Sequence, residues 1–269
     1  MLACAAMSIF QAIVLGAVQG LTEFLPVSSS AHLYAVPKLL GWTYAGLAFD
    51  VALHWGTLIA LLMAFGRDWW TLTRDAVVGA PAVKREAWSL WARLAIASVP
   101  GVVAGVLLKD VAETLLRSLP LQAAMLFVFG FLLWWVDRVA PQRTRADVPG
   151  WGTCLLVGAA QALALVPGVS RSGVTITAGR AAQLDRVSAA RFSFLLATPI
   201  TFGAGVLELH HLSPELPAST LAIGVITSAL VGLLAIRLLL RWLARGGFLG
   251  FFAYRTALAL VLVAAALRR

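Results

Sequence analysis

Residues Gly16–Ser30 read GAVQGLTEFLPVSSS, and residues Gly158–Ser172 read GAAQALALVPGVSRS. The second stretch repeats the first at an offset of 142 without a gap. Seven of the fifteen positions are identical: Gly16/Gly158, Ala17/Ala159, Gln19/Gln161, Leu21/Leu163, Val27/Val169, Ser28/Ser170 and Ser30/Ser172. Each copy is an apolar run broken by proline and closed by serines. Paired Pro/Gly-interrupted apolar segments in the two halves of a membrane protein point to a buried polar site built where the halves meet.

The sequence around the two copies fits a membrane. It is 61% hydrophobic and 12% charged, about half the charge of a typical soluble domain. The net charge of +9 is spread over loops between apolar runs, so it reads as topology-setting charge and not as a nucleic-acid footprint. Trp69, Trp70, Trp88, Trp134, Trp135, Trp151 and Trp242 sit at the ends of apolar runs, as interface anchors do. Cys4 and Cys154 are far apart in apolar surroundings and suggest neither a disulfide framework nor a metal site. No Lys or Arg precedes Lys38, so no cleaved signal peptide is expected.

Six runs are long enough to span a bilayer, at about 46–65, 88–108, 120–137, 190–208, 219–237 and 248–267. Two others, 8–40 and 151–186, are interrupted at Pro26 and at Pro167-Gly168, where proline frees a backbone carbonyl and bends the chain. The hydroxyls and the His or Arg at each break predict hairpins that turn back. The loops at 66–87, 138–150, 180–191 and 237–247 are rich in Arg and Lys. Residues 210–218 carry neither, and 109–119 balance Lys109 and Arg117 against Asp110 and Glu113. Placing the four basic loops inside satisfies every crossing only if both broken segments are re-entrant. Arg268 and Arg269 then fall outside, against the rule. The expected fold is therefore all-α: one integral membrane domain, residues 1–269, with six transmembrane helices and two re-entrant hairpins. Its halves, about 1–140 and 150–269, form an inverted-topology repeat.

The breaks concentrate reactive groups. The first holds Gln19, Glu23, Ser28, Ser29, Ser30 and His32; Gln19 and Glu23 share a helix face. An ionisable group at membrane depth is costly and reads as functional. The second, PGVSRSGVT from Pro167 to Thr175, supplies the hydroxyls of Ser170, Ser172 and Thr175. It also supplies Arg171, whose planar cation can fork onto phosphate oxygens. A helix restarting after the break would add free N–H groups. Together these provide what phosphoryl transfer needs: a cation and oriented donors for developing charge, with a carboxylate and a histidine for nucleophile and proton handling. Asp50 and His54, four apart, form a third group that could hold water, a cation or a second phosphate.

QGLTEFLPVSSSAH and PGVSRSGVT resemble the two signature motifs of the bacterial undecaprenyl-diphosphate phosphatase family, also called bacitracin-resistance proteins. The similarity extends to FDVALHWGTLIA, RFSFLLATP and Tyr254-Arg255 and covers nearly the whole chain. Within that pattern the sequence carries the Gln variant at Gln19, Ala31 where Gly is usual, and Arg191 where some relatives have Glu. The resemblance implies hydrolysis of undecaprenyl diphosphate to undecaprenyl phosphate and phosphate, which recycles the lipid carrier for cell-wall synthesis and confers bacitracin resistance. It implies Glu23, Ser29, His32 and Arg171 as catalytic residues, with Gln19, Ser28, Ser30, Ser170, Ser172 and Thr175 binding phosphate. Either Ser29 attacks phosphorus with Glu23 or His32 as base, or His32 itself attacks or activates water. No organic cofactor is expected. A diphosphate commonly carries Mg²⁺ or Ca²⁺, for which Glu23 is the candidate ligand, with Asp50 behind it. The expected partners are a polyprenyl diphosphate lipid and the bilayer, with no nucleic acid; a homodimer is allowed. The expected location is the cell inner membrane, with the site facing outside. The alternative is a polyprenyl-phosphate transporter or flippase using the same inverted-repeat site.

Overall fold

The computed structural model describes residues 7–44, 46–114, 118–145, 149–208 and 217–267, without the side chains of residue 47 and residues 109–114. The expectations that rest on Cys4, the side chains of 109–114, Arg117, residues 210–216, Arg268 and Arg269 lie outside the described residues. The chain folds as α1 (Ile9–Phe24), α2 (Ser29–Leu39), α3 (Leu47–Val78), α4 (Pro81–Thr114), α5 (Leu119–Val139), α6 (Trp151–Ala162), a 3₁₀ turn (Leu163–Leu165), α7 (Arg171–Ala181), α8 (Arg186–Leu207), α9 (Ala218–Leu243) and α10 (Leu249–Leu267). Among the described residues the one β feature is a parallel bridge between Thr144 and Leu184.

Six helices are long and apolar enough to cross a membrane: Ala48–Val78, Pro81–Leu108, Leu119–Val139, Arg186–Leu207, Ala218–Leu243 and Leu249–Leu267. They coincide with the six expected runs, and the protein is a multi-pass membrane protein. The shortest carries 19 residues, about 28 Å at 1.5 Å per residue, close to the hydrocarbon thickness. Large side chains such as Leu230, Leu234 and Leu238 point outward from α9, where lipid accounts for their exposure.

The stretch 66–87, expected as a loop, is helical instead. α3 kinks at Phe65, where φ is −115° and ψ is 16°, and runs on to Val78. Gly79 and Ala80 then break it, and α4 restarts with Pro81, a residue suited to the first helical position. Charged side chains do not end a helix once it has left the hydrocarbon; a glycine-proline junction does. α9 likewise continues past 237 to Leu243.

Small residues set the central contacts. A Cβ on Gly16 would lie 2.7 Å from Gly224 O, and one on Gly20 would lie 2.6 Å from Ser228 O, so α1 presses directly on α9. Gly158, the repeat partner of Gly16, does the same on α4, with 2.5 Å to Ala97 O. Without a hydrophobic force between helices in lipid, such close approach is what van der Waals packing requires.

The basic segments gather at one end. Arg191 donates to Asp68 at 2.6 Å, joining α8 to the stretch after the Phe65 kink. Asp137 accepts from buried Arg180 at 2.9 Å and from Arg186 at 2.8 Å. Thr144 N donates to Gln183 O at 3.1 Å. Gly247 lies against Arg186 and Asp137. Arg180 also donates to Leu184 O and Ala140 O, so this buried cation closes the polar end of α5 and α7.

Candidate active site

Both motif copies break in the same way. α1 stops at Phe24 and α2 restarts at Ser29; α6 and its 3₁₀ turn stop at Leu165 and α7 restarts at Arg171. The residue before each restart is a serine with positive φ, 74° at Ser28 and 73° at Ser170. A side chain in such a conformation costs on the order of 1–3 kcal/mol. Each serine hydroxyl faces the hydroxyl two residues on, Ser28 to Ser30 at 3.2 Å and Ser170 to Ser172 at 3.3 Å. Ser170 Oγ also accepts from Gly173 N at 3.2 Å and caps α7.

The breaks meet at Glu23. Arg171 Nη2 donates to its Oε1 at 2.6 Å. Ser29 Oγ donates to Oε2 at 2.6 Å, and Gln19 Nε2 donates to the same oxygen at 3.1 Å. His54 Nε2 lies 3.7 Å from Oε2. Arg171 Nη1 donates to Thr201 Oγ1 at 3.2 Å, so α8 also orients the cation. Glu23 and Arg171 side chains are 8% and 17% exposed, which makes the pair a largely desolvated one.

A cavity of about 470 Å³ opens over this cluster. Its walls include Glu23, Ser28, Ser29, Ser30, Ser170 and Arg171 from the breaks, Tyr44, Asp50 and His54 beside them, and Gly101, Gly105, Ala162, Ala164 and Leu165 on an apolar flank. The first turns of α2 and α7 both end on it, where helix N–H groups without intrahelical partners favour anions.

Not every expected residue lines this cavity. Gln19 is buried under Glu23. Ser172 donates to Leu25 O at 3.2 Å and ties one break to the other. Thr175 is bonded to Arg171 O and Ser193 Oγ, below the surface. His32 is buried, with Nδ1 2.7 Å from Ser28 O and Nε2 2.7 Å from Tyr254 Oη. A carbonyl can only accept, so Nδ1 carries a hydrogen, and in the neutral ring Nε2 accepts from the Tyr254 hydroxyl. The His32 and Tyr254 rings stack with an interplanar angle of 2°. His54 differs: its Nδ1 donates to Asp50 O at 2.7 Å, and its Nε2 is turned toward Glu23. Tyr44 donates to Asp50 Oδ2 at 2.5 Å.

Among the described residues no group of three or more His, Cys, Asp or Glu has metal-holding geometry. Glu23, the expected ligand, has both oxygens engaged by Arg171, Ser29 and Gln19. This donor set does not form a resident cation cage of the six or more oxygens that such ions take.

The sequence marks Arg255 only as part of the Tyr254-Arg255 segment that carries the family resemblance, with no role attached. It is fully buried on α10 and donates to five carbonyls: Leu126 and Met125 of α5, Pro26 of the first break, and Gly168 and Val169 of the second. Gly130 and Gly173 leave the room, since a Cβ on either would lie 3.1 Å from the guanidinium. A lone cation inside an apolar run is the signal that could have identified it. Gln161 and Thr201 were also missed as site residues. For Gln161 the signal was its pairing with Gln19 in the repeat.

The sequence that brings serines, a bonded carboxylate and an arginine from opposite motif copies to one cavity is similar to that of known proteins. A sequence model of the family described as bacitracin resistance protein BacA matches residues 12–261. The chain belongs to this family. It is 46% identical over 263 residues to the undecaprenyl-diphosphatase of Desulforudis audaxviator, covering 98% of this chain and 100% of that protein. It is 48% identical over 265 residues to the undecaprenyl-diphosphatase of Pelotomaculum thermopropionicum, covering 97% and 98%. A third relative, the undecaprenyl-diphosphatase of Moorella thermoacetica, is 47% identical over 258 residues, covering 96% and 98%.

Proposed function

We propose that this protein hydrolyses undecaprenyl diphosphate to undecaprenyl phosphate and inorganic phosphate, recycling the lipid carrier for cell-wall synthesis and conferring bacitracin resistance. The observation that carries the reading is the double engagement of Glu23, by Ser29 from one break and Arg171 from the other.

Ser29 Oγ attacks the terminal phosphorus while its proton passes to Glu23 Oε2. The bond from that phosphorus to the bridging oxygen breaks, and undecaprenyl phosphate leaves with the electron pair. Arg171 turns from Glu23 to the phosphate oxygens as charge develops there. Water then attacks the phosphoserine with Glu23 as base, and Ser29 recovers its proton as phosphate departs. His54, beside Oε2, carries the proton between Glu23 and the open cavity. His32 braces the Ser28 carbonyl and so holds the first break in shape. Mg²⁺ or Ca²⁺ in this reading arrives on the diphosphate.

The finer membrane organisation belongs to the same reading. α6, the 3₁₀ turn and α7 connect residues 138–150 to 180–191, and those two segments pair with each other through Thr144 and Leu184. This supports a hairpin that leaves from and returns to one face. Gly16 on α9 and Gly158 on α4 are the same contact with the halves exchanged, which supports an inverted repeat. The gathered basic end faces inward by the positive-inside rule, in the cell inner membrane, and the cavity opens outward. Nothing in the cavity or in the relatives' names favours the transporter alternative.

The test is phosphate release from a polyprenyl diphosphate by detergent-purified protein, with acid-stable label trapped on Ser29 during turnover. Absence of phosphate release ends the reading; release without label on Ser29, or a Ser29→Ala protein of near-normal rate, ends the serine version.

A further inference from the structure

Gln161 and Gln19 occupy the same position in the two motif copies, and their surroundings differ. Four residues after Gln19 comes Glu23, which accepts from its amide at 3.1 Å. Four residues after Gln161 comes Leu165, which offers the amide nothing. Gln161 is 4% exposed. Neither Nε2 nor Oε1 has a hydrogen-bond partner among the described residues. The residue lies in the wall of the cavity, next to Leu165 and on the side of Gly101. Gly101 is what gives the amide its place: a Cβ there would come within 3.1 Å of Nε2. Buried amides are almost always bonded. One held without a partner, at the wall of a site that the rest of the chain fills with phosphate-binding groups, is a donor waiting for a ligand.

We propose that Gln161 is a specificity-determining residue for the diphosphate. Its Nε2, closed off against Gly101 in this structure, turns into the cavity and donates to a non-bridging oxygen on the phosphate that Ser29 does not attack, while a protonated diphosphate oxygen can serve Oε1. This assignment rests on the hydrolytic reading of the cavity and adds a second phosphate position to it. Break one then acts on the terminal phosphate, and the preceding helix of break two recognises that another phosphate is attached. A monophosphate would leave the amide unpaired, and an unpaired buried donor is what discriminates against a ligand lacking the matching group.

The experiment compares wild type with Gln161→Leu and Gln161→Glu in detergent. Three quantities are measured: phosphate release from a polyprenyl diphosphate, the inhibition constant of inorganic diphosphate, and the thermal midpoint. Wild-type turnover must be present; its absence defeats the hydrolytic reading itself, whatever the variants do. With it present, Gln161→Leu is expected to raise KM and the diphosphate inhibition constant together by about tenfold, one lost hydrogen bond to a charged group. Turnover number stays within about threefold. Its thermal midpoint is unchanged or higher, because leucine in place of an unpaired buried amide removes a polar group rather than a bond. Gln161→Glu is expected to bind diphosphate more weakly still. A lowered midpoint for Gln161→Leu with unchanged inhibition by diphosphate would make the amide a structural group. A shift in KM for the lipid without a shift for inorganic diphosphate would place Gln161 on the lipid tail and overturn the proposal.

Discussion

The break after α1 and the break before α7 share one backbone feature and differ in chemistry. Ser28 and Ser170 share a positive φ of 74° and 73°, and both are followed by a helix that restarts toward the cavity. The first residue of that helix is Ser29 in one copy and Arg171 in the other. Both reach the same carboxylate at 2.6 Å, one to each oxygen. A duplicated turn thus supplies a hydroxyl from one side and a cation from the other. The carboxylate itself is not duplicated, because Glu23 corresponds to Leu165. Two acids at membrane depth facing one anion would repel both each other and the substrate. One acid and one arginine form a pair that an incoming phosphate can open.

The strongest way to break this comparison is to remove the acid. Glu23→Gln is expected to lower turnover by about 10²–10⁴ and, by releasing Arg171, to bind inorganic diphosphate more tightly than wild type. Steady-state kinetics with diphosphate as inhibitor measures both. Retained turnover would take proton handling away from the first break. Next is the cation of the second break. Arg171→Ala is expected to cost turnover about 10²–10³, and Arg171→Lys to recover only part, since an ammonium lacks the fork. Equal rates for Arg171→Lys and wild type would reduce the residue to a point charge.

The two histidines sharpen the division within the first half. His54→Ala is expected to lower turnover by about 10². His32→Asn keeps a donor for Ser28 O and is expected to keep most of the rate, losing about 1 kcal/mol of stability with the Tyr254 bond. The reverse ranking, read from rates and thermal midpoints of the two proteins, would return the proton shuttle to His32. The serines with positive φ separate strain from capping. Ser170→Ala loses the bond to Gly173 N and should cost about 1 kcal/mol. Ser28 makes no side-chain cap, so Ser28→Ala should cost less in thermal unfolding. Equal losses would mean the cap contributes nothing. The smallest effect expected is that of chelation: excess chelator slows phosphate release, and Mg²⁺ or Ca²⁺ restores it. An unchanged rate would assign neutralisation of the diphosphate to Arg171 and the helix N–H groups alone.

Much of this could be read from residue order because membrane physics acts on short windows. Six apolar runs had to be helical and are long enough to span, since an unpaired backbone cannot cross hydrocarbon, and proline followed by serines had to interrupt the other two. The motif copies marked Glu23 and Arg171 as candidate chemistry because ionisable groups are expensive at that depth. Charge alone misplaced the helix ends, as the continuous α3 beyond Phe65 shows, because helix propensity continues into water until glycine and proline stop it.

The sequence by itself determined the helical class, the six spans, the duplicated break and the kind of chemistry each break could supply. Each of these depends on composition within a window or on an exact internal repeat. Only the tertiary structure decided which groups meet. It turned His54 toward Glu23 and tied His32 to Tyr254, 222 residues away. It left the Gln161 amide without a hydrogen-bond partner among the described residues. It set Arg255 against carbonyls of both breaks. A buried hydrogen bond is fixed by distances of a few tenths of an ångström between segments far apart in the chain, and no local pattern of residues carries that information.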